Sequence, residues 1–148
     1  MGVLTTGVDI IEIDRVRRAF ERHGGRFLER VYTVPEVAFC RGRVPELAVR
    51  FAAKEAVMKA LGTGVRGVAW REIEVLPNRR GKPLVFLHDR AERRAAAIGL
   101  GPLEISLTHS NDFAIAVVVG ERTVAPEADG ERLTYDEALA NLIRWGIL

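Results

Sequence analysis

The sequence predicts an α+β fold, a mainly antiparallel sheet packed with helices, and three observations predict it. Strand-like and helix-like stretches follow in the order strand, helices, hairpin, helix, hairpin, helix, an order in which strands meet through turns and not through crossover helices. Two pairs of apolar runs are joined by the turn residues Pro77-Asn78-Arg79-Arg80-Gly81 and His109-Ser110-Asn111-Asp112, so each pair reads as an antiparallel hairpin. The chain has 148 residues, enough for one domain with its own core.

The first element is an apolar run from Val3 to Ile13, rich in Val, Ile and Thr, whose early part reads as a strand. It carries one early acid, Asp9. That carboxylate either caps a following helix or serves as a metal ligand or acid/base group. Asp14 to His23 reads as a helix with Val16 and Phe20 on its buried stripe. Arg15, Arg18 and Arg22 recur on another face, either solvated or docking an acidic partner, and Gly24-Gly25 ends the helix. Thr33-Val34-Pro35-Glu36 is a helix-start signal for a short helix to about Cys40, which Arg41-Gly42-Arg43-Val44-Pro45 breaks.

Pro45-Glu46 opens the next helix, whose stretch from Arg50 to Leu61, with Gly62 at its C-terminal cap, is built from strong helix formers. Phe51, Glu55 and Lys59 are four apart and share a face. A helix this apolar belongs in the interior, yet Glu55 stands among the ammonium groups of Lys54 and Lys59. Buried charge needs a partner or a metal. From the helix alone, a Glu–Lys surface rung and a functional carboxylate are both open.

Thr63-Gly64-Val65-Arg66-Gly67 is a Gly-rich loop at a helix C-terminus, the wrong end for dipole-assisted phosphate binding, and it lacks the Walker pattern. Glu72 to Leu76 and Lys82 to His88 form the first hairpin, with Ile73 and Val75 facing one way. In its turn, Gly81-Lys82-Pro83 sets a cation on flexible backbone, a phosphate contact or a solvated lysine. Asp89 to Ile98 is a helix capped by Asp89 and stopped by Gly99. Leu103 to Thr108 and Phe113 to Val119 form the second hairpin. His109 at its turn is a satisfied turn residue or a phosphate or base contact. Ala125 to Glu131 reads as a linker, and Thr134 to Glu137 as a capping box opening a helix to about Trp145. Its apolar Leu139, Leu142, Ile143 and Trp145 call for packing.

Composition narrows the partners. No apolar run is long enough to span a bilayer, and the first residues lack a signal peptide's basic and apolar regions, so the expected location is cytoplasmic. Cys40 is the only cysteine, which excludes an intrachain disulfide and a cysteine metal cluster; it reads as a small buried side chain. From Glu121 onward six acids face three bases, so this segment carries −3 and the first 120 residues +5 within the net +2. A basic body favours phosphates or acidic proteins. Its arginines are not interleaved with aromatics in any nucleic-acid motif. Two carboxylates, Asp9 and Glu55, without a Cys or His cluster suit a hard cation such as Mg2+. With Arg50, Lys54, Lys59, Lys82 and His109 as basic groups, they point to metal-assisted chemistry on a phosphorylated ligand.

Four stretches carry a resemblance. Gly7-Val8-Asp9-Ile10-Ile11-Glu12-Ile13, Arg50-Phe51-Ala52-Ala53-Lys54-Glu55-Ala56 with Lys59-Ala60-Leu61-Gly62, Gly81-Lys82-Pro83, and Ser106-Leu107-Thr108-His109-Ser110 resemble the motifs of holo-[acyl-carrier-protein] synthases, the short 4′-phosphopantetheinyl transferases. Their order and spacing match over roughly Leu4 to Glu121. The resemblance implies a 4′-phosphopantetheinyl transferase-like fold. It also implies transfer of the 4′-phosphopantetheine arm of coenzyme A to a serine of an apo-acyl carrier protein, leaving adenosine 3′,5′-bisphosphate. By match, Asp9 and Glu55 would hold Mg2+. Glu55 or a water would take the serine proton, and Lys59 would stabilise charge on the phosphates. Arg50, Lys54, Lys82 and His109 would contact phosphates, while Phe51, Gly62, Gly81 and Pro83 shape the nucleotide site. Arg15 and Arg22 would dock the acidic carrier protein, of fatty-acid or polyketide synthesis, which raises docking above the solvated reading. The family forms homotrimers with sites between subunits.

Members of this family end soon after the last core strand, so residues 1–121 are expected to form the transferase domain and 122–148 a C-terminal extension of linker plus helix. The extension is expected to pack on the body. Its acids are a second possibility for the arginine surface, where they would compete with the carrier protein.

Overall fold

The structure is a computed structural model that describes residues 2–130 and 132–148. Met1 and Glu131, the last residue of the expected linker, lie outside the described residues. The first strand, β1 (Val3–Glu12), leads directly into α1 (Ile13–His23). Gly24 ends α1 with a positive φ of 52°, whereas Gly25, expected to help end it, already begins α2 (Gly25–Val31). The capping box at Thr33 and Glu36 forms and opens α3 (Val34–Cys40). The long helix α4 (Val44–Leu61) ends at Gly62, whose φ of 75° is the left-handed cap the sequence calls for.

Beyond α4, the Gly-rich stretch closes into a one-turn helix, α5 (Gly64–Gly67), and a 3-10 turn (Trp70–Glu72) leads into the hairpin β2 (Ile73–Pro77) and β3 (Pro83–Leu87). Helix α6 (Asp89–Ala97) follows. Asp89 was expected to cap it, but His88 holds the cap position and no side chain makes a cap bond. The second hairpin is β4 (Glu104–His109) and β5 (Phe113–Arg122). Part of the expected linker is a short helix, α7 (Pro126–Asp129), and the Thr134–Glu137 capping box opens α8 (Tyr135–Arg144).

Five strands form two antiparallel sheets among the described residues, β1-β5-β4 and β2-β3. Strand register then sorts the residues by face. Gly7, Asp9 and Ile11 pair with Val118, Ala116 and Ala114 on the face that packs against α4. Val8, Ile10 and Glu12 pair with Val117, Ile115 and Phe113 on the opposite face. That outer face keeps apolar side chains in solvent: Leu4, Val8, Ile10, Phe113, Val117 and Val119 are all exposed.

Helix α4 is the core of the fold. Twelve of its 18 residues are buried, so it is apolar nearly all round, as a central helix should be. It crosses β1 and β5 at close range. A Cβ on Gly7 would stand 1.9 Å from the Ala56 carbonyl oxygen, so only glycine admits this approach. The Thr5 hydroxyl donates to the Ala60 carbonyl at 2.7 Å beside it. The close approach at Gly7 sets Asp9, two residues beyond it on β1, over the same stretch of α4.

The extension departs from expectation. None of the α8 residues is buried, and Tyr135, Ile143 and Trp145 are largely exposed along with Ile147 and Leu148 after it. Of its expected apolar stripe, Leu139 and Leu142 are half-buried while Ile143 and Trp145 stay exposed, so the stripe packs only in part. Strand β5 also runs to Arg122 and its continuation is tied to the body, with Val124 N–H donating to the Ile98 carbonyl at 3.1 Å. No described helix is long and apolar enough to cross a membrane.

Candidate active site

Strand β1 and helix α4 bring Asp9, Glu55 and Lys59 together. The Lys59 ammonium donates to the Val8 carbonyl at 2.8 Å and lies 3.3 Å from Asp9 Oδ1. Asp9 is mostly covered, opposite the small Ala116 on β5. Glu55 faces Asp9. Burial pushes the Glu55 carboxyl up from 4.5 to about 7, and the hydrogen bond and charge of Asp9 push the same way, while Lys59 and Arg15 pull it down. A carboxylate raised by burial and by a facing carboxylate favours positive charge beside it. Two hard oxygen donors suit a hard divalent cation that takes its other ligands from phosphates and water. Among the described residues no third Asp, Glu, His or Cys joins them. A cleft of about 200 Å3 opens beside the pair between Glu55, Met58, Lys59, Gly64 and Val65.

A second cluster gathers three motifs that are far apart in sequence. Arg50 from α4, Gly81 and Pro83 from the first hairpin, and Leu107, Thr108 and His109 from β4 line a cleft of about 210 Å3. Arg50 is held rigidly. Its Nε donates to the Val75 carbonyl at 3.1 Å, Nη1 donates to Glu46 at 2.8 Å, and the guanidinium lies 4.3 Å from the Phe39 ring centre. His109 is exposed at the cleft rim. No residue lines both this cleft and the Glu55–Lys59 cleft.

The other expected site residues fall elsewhere. Lys54, expected on a phosphate, is fully buried behind α4 and bonded to Glu36, which leaves it no path to a ligand. Phe51 stacks on Trp70 with ring centres 4.6 Å apart. Lys82 points to Glu104 at 2.9 Å on the surface. Gly62 acts as the helix cap. Arg22 is exposed on α1, and Arg15 lines a small cleft with Ile10, Ile11, Glu12 and Phe113 while its charge reaches Glu55.

Sequence reasoning missed three participants. Phe39 and Glu46 fix Arg50, and Glu46 at helical spacing before Arg50 was a signal available to find it. Glu36 was read only as part of a helix-start signal. A lysine in an apolar helix was the signal that a buried acid had to lie somewhere in the chain. Cys40 is fully buried, as expected, and burial pushes its thiol up to about 11, so it is no nucleophile.

A strand carboxylate set over a helical Glu-x-x-x-Lys, with a basic cleft at a hairpin turn, defines a phosphoryl-transferring class, and comparison agrees. Residues 5–118 match the 4′-phosphopantetheinyl transferase superfamily, and the chain belongs to it. Within that superfamily its relatives are holo-[acyl-carrier-protein] synthases. One from Herpetosiphon aurantiacus is 51% identical over 125 residues, covering 80% of this chain and 98% of that protein. The crystal structure of the synthase from Neisseria meningitidis superposes with a TM-score of 0.73 at 34% identity, covering 79% of this chain and 97% of that one. The synthase from Helicobacter pylori, solved in complex with coenzyme A, superposes with a TM-score of 0.72 at 31% identity over 78% and 98%. The mixed helix and antiparallel sheet fold expected from sequence is the fold observed.

Proposed function

We propose that this chain transfers the 4′-phosphopantetheine arm of coenzyme A to a serine hydroxyl of an apo-acyl carrier protein, with Asp9 and Glu55 holding a Mg2+ at the site. The observation that carries the reading is the facing pair Asp9 and Glu55, with Glu55 raised to about 7 and Lys59 beside it. The serine oxygen forms a bond to the β-phosphorus of coenzyme A. The bond from that phosphorus to the bridging oxygen breaks, and adenosine 3′,5′-bisphosphate leaves. Bound Mg2+ would offset negative charge on the pyrophosphate and help to orient it.

The chain's own residues do the rest. Lys59 holds its ammonium at the carboxylate pair, where charge develops on the leaving phosphate. Glu55, or a water beside it, would take the serine proton. Arg50 and His109 would contact phosphates of coenzyme A in a cleft that Gly81 and Pro83 also line. Arg15 and Arg22 attract the acidic carrier protein to α1, beside Glu55.

The nucleotide cleft and the carboxylate cleft share no lining residue, and the outer face of β1 and β5 is apolar and exposed. A cytoplasmic homotrimer that buries this face and completes each site from two subunits accounts for both. The test is product analysis by chromatography. Incubation with coenzyme A, Mg2+ and apo-carrier protein should release adenosine 3′,5′-bisphosphate in step with carrier modification. A chelator should stop release and excess Mg2+ restore it; release that is indifferent to the chelator sinks the metal assignment.

A further inference from the structure

We propose that Lys54 and Glu36 form a positioning pair that fixes α4 beneath the active site, and that Lys54 touches no phosphate. The proposal rests on reading Arg50, Glu55 and Lys59 as site residues. Lys54 and Glu36 are both 0% exposed, and the ammonium lies 2.7 Å from Glu36 Oε1. The ammonium has three hydrogens, and three acceptors surround it: Glu36, the Trp70 carbonyl at 3.1 Å, and the Ile73 carbonyl. None is left for a ligand.

The carboxylate is filled in the same way. Glu36 Oε1 also accepts from the Thr33 N–H at 2.9 Å, and Oε2 accepts from the Val75 N–H at 2.9 Å. One buried pair therefore ties α3, the 3-10 turn and β2 to α4. Val75 joins it to the nucleotide cleft, because its N–H goes to Glu36 while its carbonyl takes Arg50. On the helix, Lys54 directly precedes Glu55 and points about 100° away from it. The pair thus clamps from behind the turn that presents Glu55 and, four residues on, Lys59. The charges are a registry device: a half-turn slip of α4 strands two buried ions.

The test compares Glu36→Gln, Lys54→Met and the double variant by transfer rate per folded protein, with folding read from thermal unfolding. The Glu36→Gln change keeps the shape and the acceptor for the Val75 N–H, and the double variant leaves no unpaired buried charge, whereas each single change leaves one. A positioning pair predicts that either single change lowers kcat by about 10- to 100-fold through misplaced groups. It predicts that the double variant recovers most of the loss. A phosphate-binding Lys54 predicts that Glu36→Gln is harmless, that Lys54→Met raises the KM for coenzyme A, and that Glu36→Gln gives it no rescue. That set overturns the proposal. If Lys54→Met fails to fold, Glu36→Gln decides alone, since Lys54 is intact in it. Wild-type transfer is the control: its absence overturns the functional reading and the pair's role with it, whereas wild-type transfer with a fully active Glu36→Gln overturns only the pair's role.

Discussion

Replacing Glu55 with Gln removes a charge that the folded chain disfavours. Burial and the neighbouring Asp9 raise the Glu55 carboxyl from 4.5 to about 7. In the unfolded chain it ionises at the ordinary value, so the metal-free fold loses stability as pH rises from about 4.5 and the loss levels off above about 7. Taken whole, the shift is worth about 3 kcal/mol. Glu55 is only half-buried, and solvent screening reduces this to about 1 kcal/mol. The Gln variant should therefore unfold roughly 2–4 °C higher than wild type at pH 8 in chelator. The two should coincide at pH 4, where both side chains are neutral. Thermal unfolding at fixed protein concentration reads the difference, and Mg2+ at pH 8 should raise the wild-type midpoint alone. A Gln variant less stable at pH 8, or a gain that persists at pH 4, would refute the account of these carboxylates.

Three further outcomes follow from the geometry. Gly7→Ala forces a methyl against the Ala56 carbonyl; overpacking of this kind costs about 1–3 kcal/mol, so the melting temperature and transfer should fall together, and an unchanged melt contradicts the close approach. Arg22→Glu should raise the KM for the carrier protein about tenfold, with a weaker salt dependence, and leave the KM for coenzyme A as it was; Arg15→Glu should also lower kcat, because Arg15 acts on Glu55. Removing residues 132–148 should leave the melting temperature unchanged, since no α8 residue is buried. Removing residues 125–148 takes away five acids and two bases; if tail acids compete for the α1 arginines, that longer truncation lowers the carrier-protein KM, and an unchanged KM discards the competition.

The fold was legible wherever local chemistry decides it. The helix start at Thr33, the capping box at Thr134, the glycine cap at Gly62 and the hairpin turns formed as read. Asp89 is not the cap because the helix begins one residue early: Asp89 is its first residue, with a positive φ of 49°, and His88 takes the cap position. Asp9, Glu55 and Lys59 were recognisable as a cluster because an acid in a strand and an acid on an apolar helix both needed a partner. Lys54 was read as a phosphate contact because its identity fits a phosphate as well as it fits a buried acid. Only the fold reveals that Glu36, 18 residues upstream, is its neighbour. The solvent-facing α8 was equally hidden, since an apolar stripe in sequence does not say what, if anything, in the same chain covers it.

The most direct measurement is the intact mass of an apo-acyl carrier protein after incubation with coenzyme A, Mg2+ and this protein. Wild type should add one phosphopantetheine at a serine. Asp9→Ala and Glu55→Ala, folded by their melting curves, should add none. No gain with folded wild type contradicts the transferase reading, and full gain with both variants contradicts the site assigned to Asp9 and Glu55.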